Sequence, residues 1–129
     1  MLYGISHGFY WNVTGPMFNT LHLIFMEQYT ELWTALDEIA ERIRPLGLMA
    51  PHGGSTLADL SSIPEAEQNS PALDMVRELV ASHEAVARTA RSLFAQADAA
   101  DDQPSADLLT QHLQVHAKTA WMLRSLLEN

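Results

Sequence analysis

Three side chains able to bind a hard metal ion, His22, Asp37 and Glu41, stand within the run from Tyr10 to Ile43. Asp37 and Glu41 are spaced i and i+4, one turn apart on a single helix face, where two carboxylates can chelate a divalent cation such as Fe(II) or Mn(II). With Glu38 beside them, the same spacing also describes a solvated acidic face. His22 is set among Leu21, Leu23, Ile24 and Phe25, on the margin of an apolar face where a histidine is commonly a hydrogen-bonded structural residue. On one helix His22 and Asp37 are separated by roughly 22 Å, at about 1.5 Å per residue. A single copy therefore cannot close all three around one ion. A two-fold axis near Tyr29 or Thr30, pairing the helix antiparallel with its copy, brings His22 of one chain opposite the Asp37/Glu41 turn of the other. The steps from 22 to 37 rotate the helix face by only about 60°, so the three groups can share a seam. Symmetry would then create the site twice per dimer.

The elements that must position these groups are helical. Thr14-Gly15-Pro16 reads as a helix start, with proline where its missing N–H costs little. From there Phe18, Leu21, Phe25, Leu32, Leu36, Ile39 and Ile43 recur on one face, until Pro45 and Gly47 end the helix. Residues 47 to 69 form a connection rich in Gly, Pro and Ser, with a short helix expected in TLADLSSI; its length predicts a crossover rather than a tight hairpin. Ser70 caps and Pro71 opens a second long helix, with Asp74 in its first turn and its apolar positions carrying it to about Ala97. Asp98 to Gln103 is a turn, and Pro104 starts a last helix to about Glu128, striped by Leu109, Leu113, Ala120, Leu123 and Leu127. No segment alternates like a strand, so the predicted class is all-α. The opening segment LYGISHGFYWNV supports at most about three helical turns. Gly4 and Gly8 each cost about 1 kcal/mol relative to alanine in it. Three long helices plus a stub make an incomplete bundle, completed by the stub itself, by a partner, or by residues upstream.

At 129 residues the chain has the size of one domain with a core. Its 16 acidic and 7 basic residues give a formal charge of −9. Arg42, Arg44, Arg77, Arg88, Arg91, Lys118 and Arg124 are scattered, which disfavours direct DNA binding and favours attraction of cations. The absence of cysteine excludes disulfides, thiolate metal sites and thiol nucleophiles. No apolar run reaches the roughly 18 residues of a membrane span, and the N-terminal segment lacks the pattern of a secretory signal. The default location is cytoplasmic.

Taken together, Tyr10-Trp11-Asn12-Val13-Thr14-Gly15, Leu21-His22 and Asp37-Glu38-Ile39-Ala40-Glu41-Arg42 resemble the signature of the DNA-protection-during-starvation (Dps) family, the mini-ferritins of the ferritin-like superfamily. The last helix, LLTQHLQVHAKTAWMLRSLLE, resembles that family's last helix, so the likeness spans essentially the whole chain. The resemblance implies a single ferritin-like domain: a four-helix bundle with a long crossover, its first helix shortened and lacking its N-terminal part here. It implies a homo-oligomeric shell, twelve subunits in this family, in which Fe(II) is oxidised, usually by hydrogen peroxide, and stored as ferric iron, protecting DNA from oxidative damage. By position, His22 would be a metal ligand from one subunit, Asp37 and Glu41 ligands from its two-fold mate, and Trp11 the aromatic beside the site. Asp102 and Asp107 resemble acidic residues lining the family's iron-entry pores, or serve as a helix cap and a solvated turn.

Two positions depart from the family pattern. Tyr10 replaces the signature histidine, and a neutral phenol with a reference pKa near 10 is a poor Fe(II) ligand. Met26 replaces an acidic residue one turn after His22, and its soft thioether suits neither ferrous nor ferric iron. Three of the five expected ligands remain, which predicts weaker binding and slower oxidation. A shell that has lost its catalysis is the competing expectation. A third is a small helical metal binder, similar to haemerythrin-like bundles, using His83, His112 or His116. Against it, His116 falls on the apolar stripe as a buried structural histidine would, and His83 has no evident partner. His7 and His52 fall in the stub and the loop. Tyr29, Trp33 and Trp121 read as core or interface aromatics, and an electron-transfer or radical-quenching role fits Trp11 better than these.

Overall fold

The computed structural model describes residues 1–128. It is all-helical: α1 (Leu2–Asn12), α2 (Phe18–Ile43), α3 (Gly54–Leu60), α4 (Ala72–Ala99) and α5 (Gln103–Ser125), with no strand among the described residues. Two compact units are present, one up to Met75 and one from Val76 onward.

In the first unit α1 and α2 form an antiparallel helical hairpin. Val13 leaves α1 in an extended conformation, its N–H donating to the Phe9 carbonyl at 2.9 Å. Gly15, at φ 108°, then turns the chain, and the Phe18 N–H closes back onto the Gly15 carbonyl at 3.0 Å. Leu2, Ile5, Phe9 and Val13 of α1 and its exit, with Leu21 and Phe25 of α2, are all buried. The Phe9 and Phe25 rings meet at 6.2 Å. An isolated helix of 11 residues with two glycines would not persist in water, so α1 owes its helicity to this packing. Each such apolar side chain contributes about 1.5–3 kcal/mol when buried.

The two helices are unequal, 11 residues against 26. The first turn of α1 reaches Trp33, whose ring lies 5.4 Å from that of Tyr3. Farther along α2, Leu36 and Ile39 stand 49% and 45% exposed. The apolar stripe read from the sequence is therefore core at Leu21 and Phe25, while Phe18, Leu36 and Ile39 keep large exposed surfaces. Its end follows expectation: a 3₁₀ turn over Arg44–Leu46 carries Pro45, and Gly47 at φ 90° terminates it. The connection that follows contains α3, which covers the first part of TLADLSSI.

The second unit takes in α4, a helix of 28 residues, from Val76 onward, and all 23 residues of α5. Asp101, at φ 56°, makes the turn between them. Asp102 caps α5, its carboxylate accepting the Ser105 N–H at 3.2 Å. The last helix closes at Ser125, short of Glu128, because Leu126 and Leu127 are already in a turn. Val76, Leu79, Ala90, Ala106, Ala120 and Leu123 are buried here, and so are His83 and His116. No helix among the described residues is long and apolar enough to cross a membrane.

Candidate metal centre

His22 sits in the second turn of α2, half-buried, and the hairpin brings it beside the last turns of α1. Its Nδ1 lies 2.8 Å from the Tyr10 carbonyl oxygen. A carbonyl only accepts, so in the neutral ring the proton is on Nδ1 and the lone pair is on Nε2. That tautomer presents Nε2 as a metal ligand, with a backbone carbonyl fixing the ring as an outer-shell partner does in metal sites. The rings of Tyr10 and Phe18 stack on the imidazole at 4.0 Å and 4.9 Å, with interplanar angles of 15° and 26°.

Tyr10 thus lies flat along His22. Met26, one turn further on α2, is half-buried. Asp37 and Glu41 are exposed on the C-terminal half of the same helix. Within one chain these groups do not converge: no cluster of three or more His, Asp or Glu among the described residues is placed to hold a metal ion. Trp11 is 65% exposed, and its ring lies 4.2 Å from that of His7.

His7 is the residue of this region whose surroundings the sequence reading missed. Its Nδ1 is 2.9 Å from the Tyr3 hydroxyl, and its ring stacks on Tyr29 at 3.9 Å and 7°. Tyr3, His7 and Trp11 follow one another at i+4 on α1, as Tyr29 and Trp33 do on α2. That repeated spacing was the available signal for two facing aromatic stripes.

In the second unit the expectation that His83 lacks a partner is corrected. His83 Nδ1 and His116 Nδ1 are 2.9 Å apart, and both residues are buried, His116 as its place on the stripe predicts. A single proton joins the pair, one ring donating and the other accepting. Burial first, and repulsion from His116 second, push the His83 pKa down to about 3. His116 is pushed down to about 4, by burial first and by His112 second. Both are therefore neutral near pH 7. Among the described residues His83 Nε2 has no hydrogen-bond partner. Of the two acidic residues around the start of α5, Asp102 is the cap, and Asp107 accepts a hydrogen bond from Gln111 Nε2 at 2.9 Å.

Known proteins share this sequence and fold. A ferritin-like domain family model matches residues 2–129. DNA protection during starvation protein 2 of Bacillus anthracis is 37% identical over 127 residues, covering 98% of this chain and 87% of the relative. The crystal structure of a Dps protein from Bacillus brevis superposes with a TM-score of 0.95 at 35% identity, over 98% of this chain and 85% of that one. A Dps protein from Vibrio cholerae, described as a member of a broad superfamily of ferritin-like diiron-carboxylate proteins, gives a TM-score of 0.94 at 28% identity, over 98% and 80%. The fold is the ferritin-like four-helix bundle. Within that class, the chain belongs to the Dps family.

Proposed function

We propose that this chain is the subunit of a mini-ferritin shell that binds Fe(II), oxidises it and retains the ferric product, thereby protecting DNA from iron-driven oxidative damage. The observation that carries the reading is the hydrogen bond from His22 Nδ1 to the Tyr10 carbonyl, which turns Nε2 into a ready metal ligand. Asp37 and Glu41 of a two-fold mate complete the cradle, because one helix cannot bring its own ends together. Iron is substrate and cargo here. The two carboxylates neutralise its charge, the imidazole adds a borderline donor, and hydrogen peroxide takes the electrons. Trp11 is the aromatic flanking this site. Membership of the Dps family supports a shell of twelve subunits, and the net charge of −9 favours cation entry over direct contact with DNA. The location we assign is cytoplasmic.

A second reading is favoured by one observation: Tyr10, where the family signature has histidine, lies stacked along His22, and Met26 supplies a thioether one turn away. Under it the shell assembles but oxidises iron slowly or not at all. Mixing the purified assembly with Fe(II) and peroxide, and following ferric absorbance beside particle mass, separates the two. The ferroxidase reading expects oxidation that His22→Ala abolishes in an intact particle. Oxidation no faster than in protein-free buffer would overturn it in favour of the second reading.

A further inference from the structure

We infer that Tyr3 is a redox-active tyrosine, with His7 as the base that takes its proton. A phenol that loses one electron also loses its O–H proton, so a tyrosine is oxidised readily only where an acceptor is already hydrogen-bonded to it. Tyr3 has one: its hydroxyl lies 2.9 Å from His7 Nδ1. His7 is held in place for that bond, stacked on Tyr29 at 3.9 Å and against Trp11 at 4.2 Å. With the hydroxyl donating, Nδ1 carries the lone pair and Nε2 the proton, the tautomer that can accept a second proton. Among the described residues the hydroxyls of Tyr10 and Tyr29 have no such acceptor, which singles out Tyr3.

The neighbouring rings supply the route. Tyr3 is 5.4 Å from Trp33, which is 60% exposed in the single chain. On the other side, Tyr3 meets Tyr29 at 6.4 Å, Tyr29 meets Tyr10 at 5.0 Å, and Tyr10 stacks on His22 at 4.0 Å. Every step is a contact between rings. The oxidant class is the hydroxyl radical. It takes one electron from the array and becomes hydroxide, and the vacancy settles on Tyr3. The Tyr3 O–H bond breaks, its proton binds His7 Nδ1, and a neutral phenoxyl radical remains beside an imidazolium. One radical is consumed and one is formed, on a half-buried side chain. The inference does not depend on iron binding.

The test uses the full chain free of iron, photo-oxidised with ruthenium tris(bipyridine) and persulfate, freeze-quenched and examined by electron paramagnetic resonance. The expected signal is a tyrosyl radical that narrows with ring-deuterated tyrosine and is lost in Tyr3→Phe. His7→Gln keeps a hydrogen-bonding side chain but not a base, and should slow radical formation about a hundredfold or more, the low end for loss of a positioned base. Circular dichroism establishes that both variants are folded. A tryptophan radical instead, a tyrosyl signal that survives Tyr3→Phe, or formation unchanged in His7→Gln would each overturn the inference.

Discussion

The imidazole of His22 and the main-chain carbonyl of Tyr10, twelve positions apart, are joined by a 2.8 Å hydrogen bond that fixes which nitrogen of His22 faces outward. Because the acceptor belongs to the backbone, substitution of the Tyr10 side chain leaves the bond available. That separates the orientation of His22 from the chemistry of its neighbour.

The first prediction follows from that separation. Tyr10→His with Met26→Glu adds two donors around a correctly oriented His22. Fe(II) oxidation by peroxide should accelerate roughly tenfold or more, at least what the loss of one outer-shell partner costs a metal site. Stopped-flow ferric absorbance measures it. No change in rate would mean that the departures at positions 10 and 26 do not limit the reaction.

A second prediction concerns acid. His83 and His116 have folded pKa values of about 3 and about 4, below the unfolded value near 6.5. Between those limits the unfolded chain binds more protons than the folded one, so stability falls as pH drops from about 6.5 towards 4. Each histidine contributes a slope of up to about 1.4 kcal/mol per pH unit in that window. Denaturation midpoints should decline across it, and His83→Leu/His116→Leu should flatten the decline. An equally steep decline in the double variant would place the acid sensitivity elsewhere.

Core packing gives a third. Phe25 is fully buried in the α1–α2 hairpin, so Phe25→Ala should cost about 3–5 kcal/mol. By contrast, the Arg124–Glu84 pair is 3.1 Å apart with both side chains nearly half exposed, and Arg124→Ala should cost no more than about 1 kcal/mol. Chemical denaturation compares the two, and an equal loss would contradict the burial argument.

A fourth tests the exposed face of α2. Leu36 and Ile39 present apolar surface at helical spacing beyond the reach of α1. Leu36→Arg with Ile39→Arg should shift the assembled particle to smaller species in analytical ultracentrifugation while helicity is retained. Unchanged mass would show that this face is not an interface between copies.

The helices were legible because each is announced locally: Pro16 and Pro45 bracket α2, Asp102 and Pro104 open α5, and apolar residues recur with helical period between such signals. His22, Asp37 and Glu41 could be picked out because they belong to one helix and their spacing is readable along it. The His83–His116 pair was not, since two helices joined by a turn can meet at several registers and periodicity describes one helix at a time. The Tyr10 carbonyl as partner of His22 was equally hidden, because backbone acceptors carry no residue type. Apolarity also does not say what covers it: Leu21 and Leu36 share a stripe, yet one is fully buried and the other is 49% exposed.

The shared iron site is tested most directly by a crystal structure of the assembled particle grown with Fe(II) under anaerobic conditions, with an anomalous map at the iron edge. Iron is expected bound by His22 Nε2 of one subunit and by the Asp37 and Glu41 carboxylates of a second, across a two-fold axis. An assembled shell in which those groups face solvent, with iron elsewhere or absent, would contradict it.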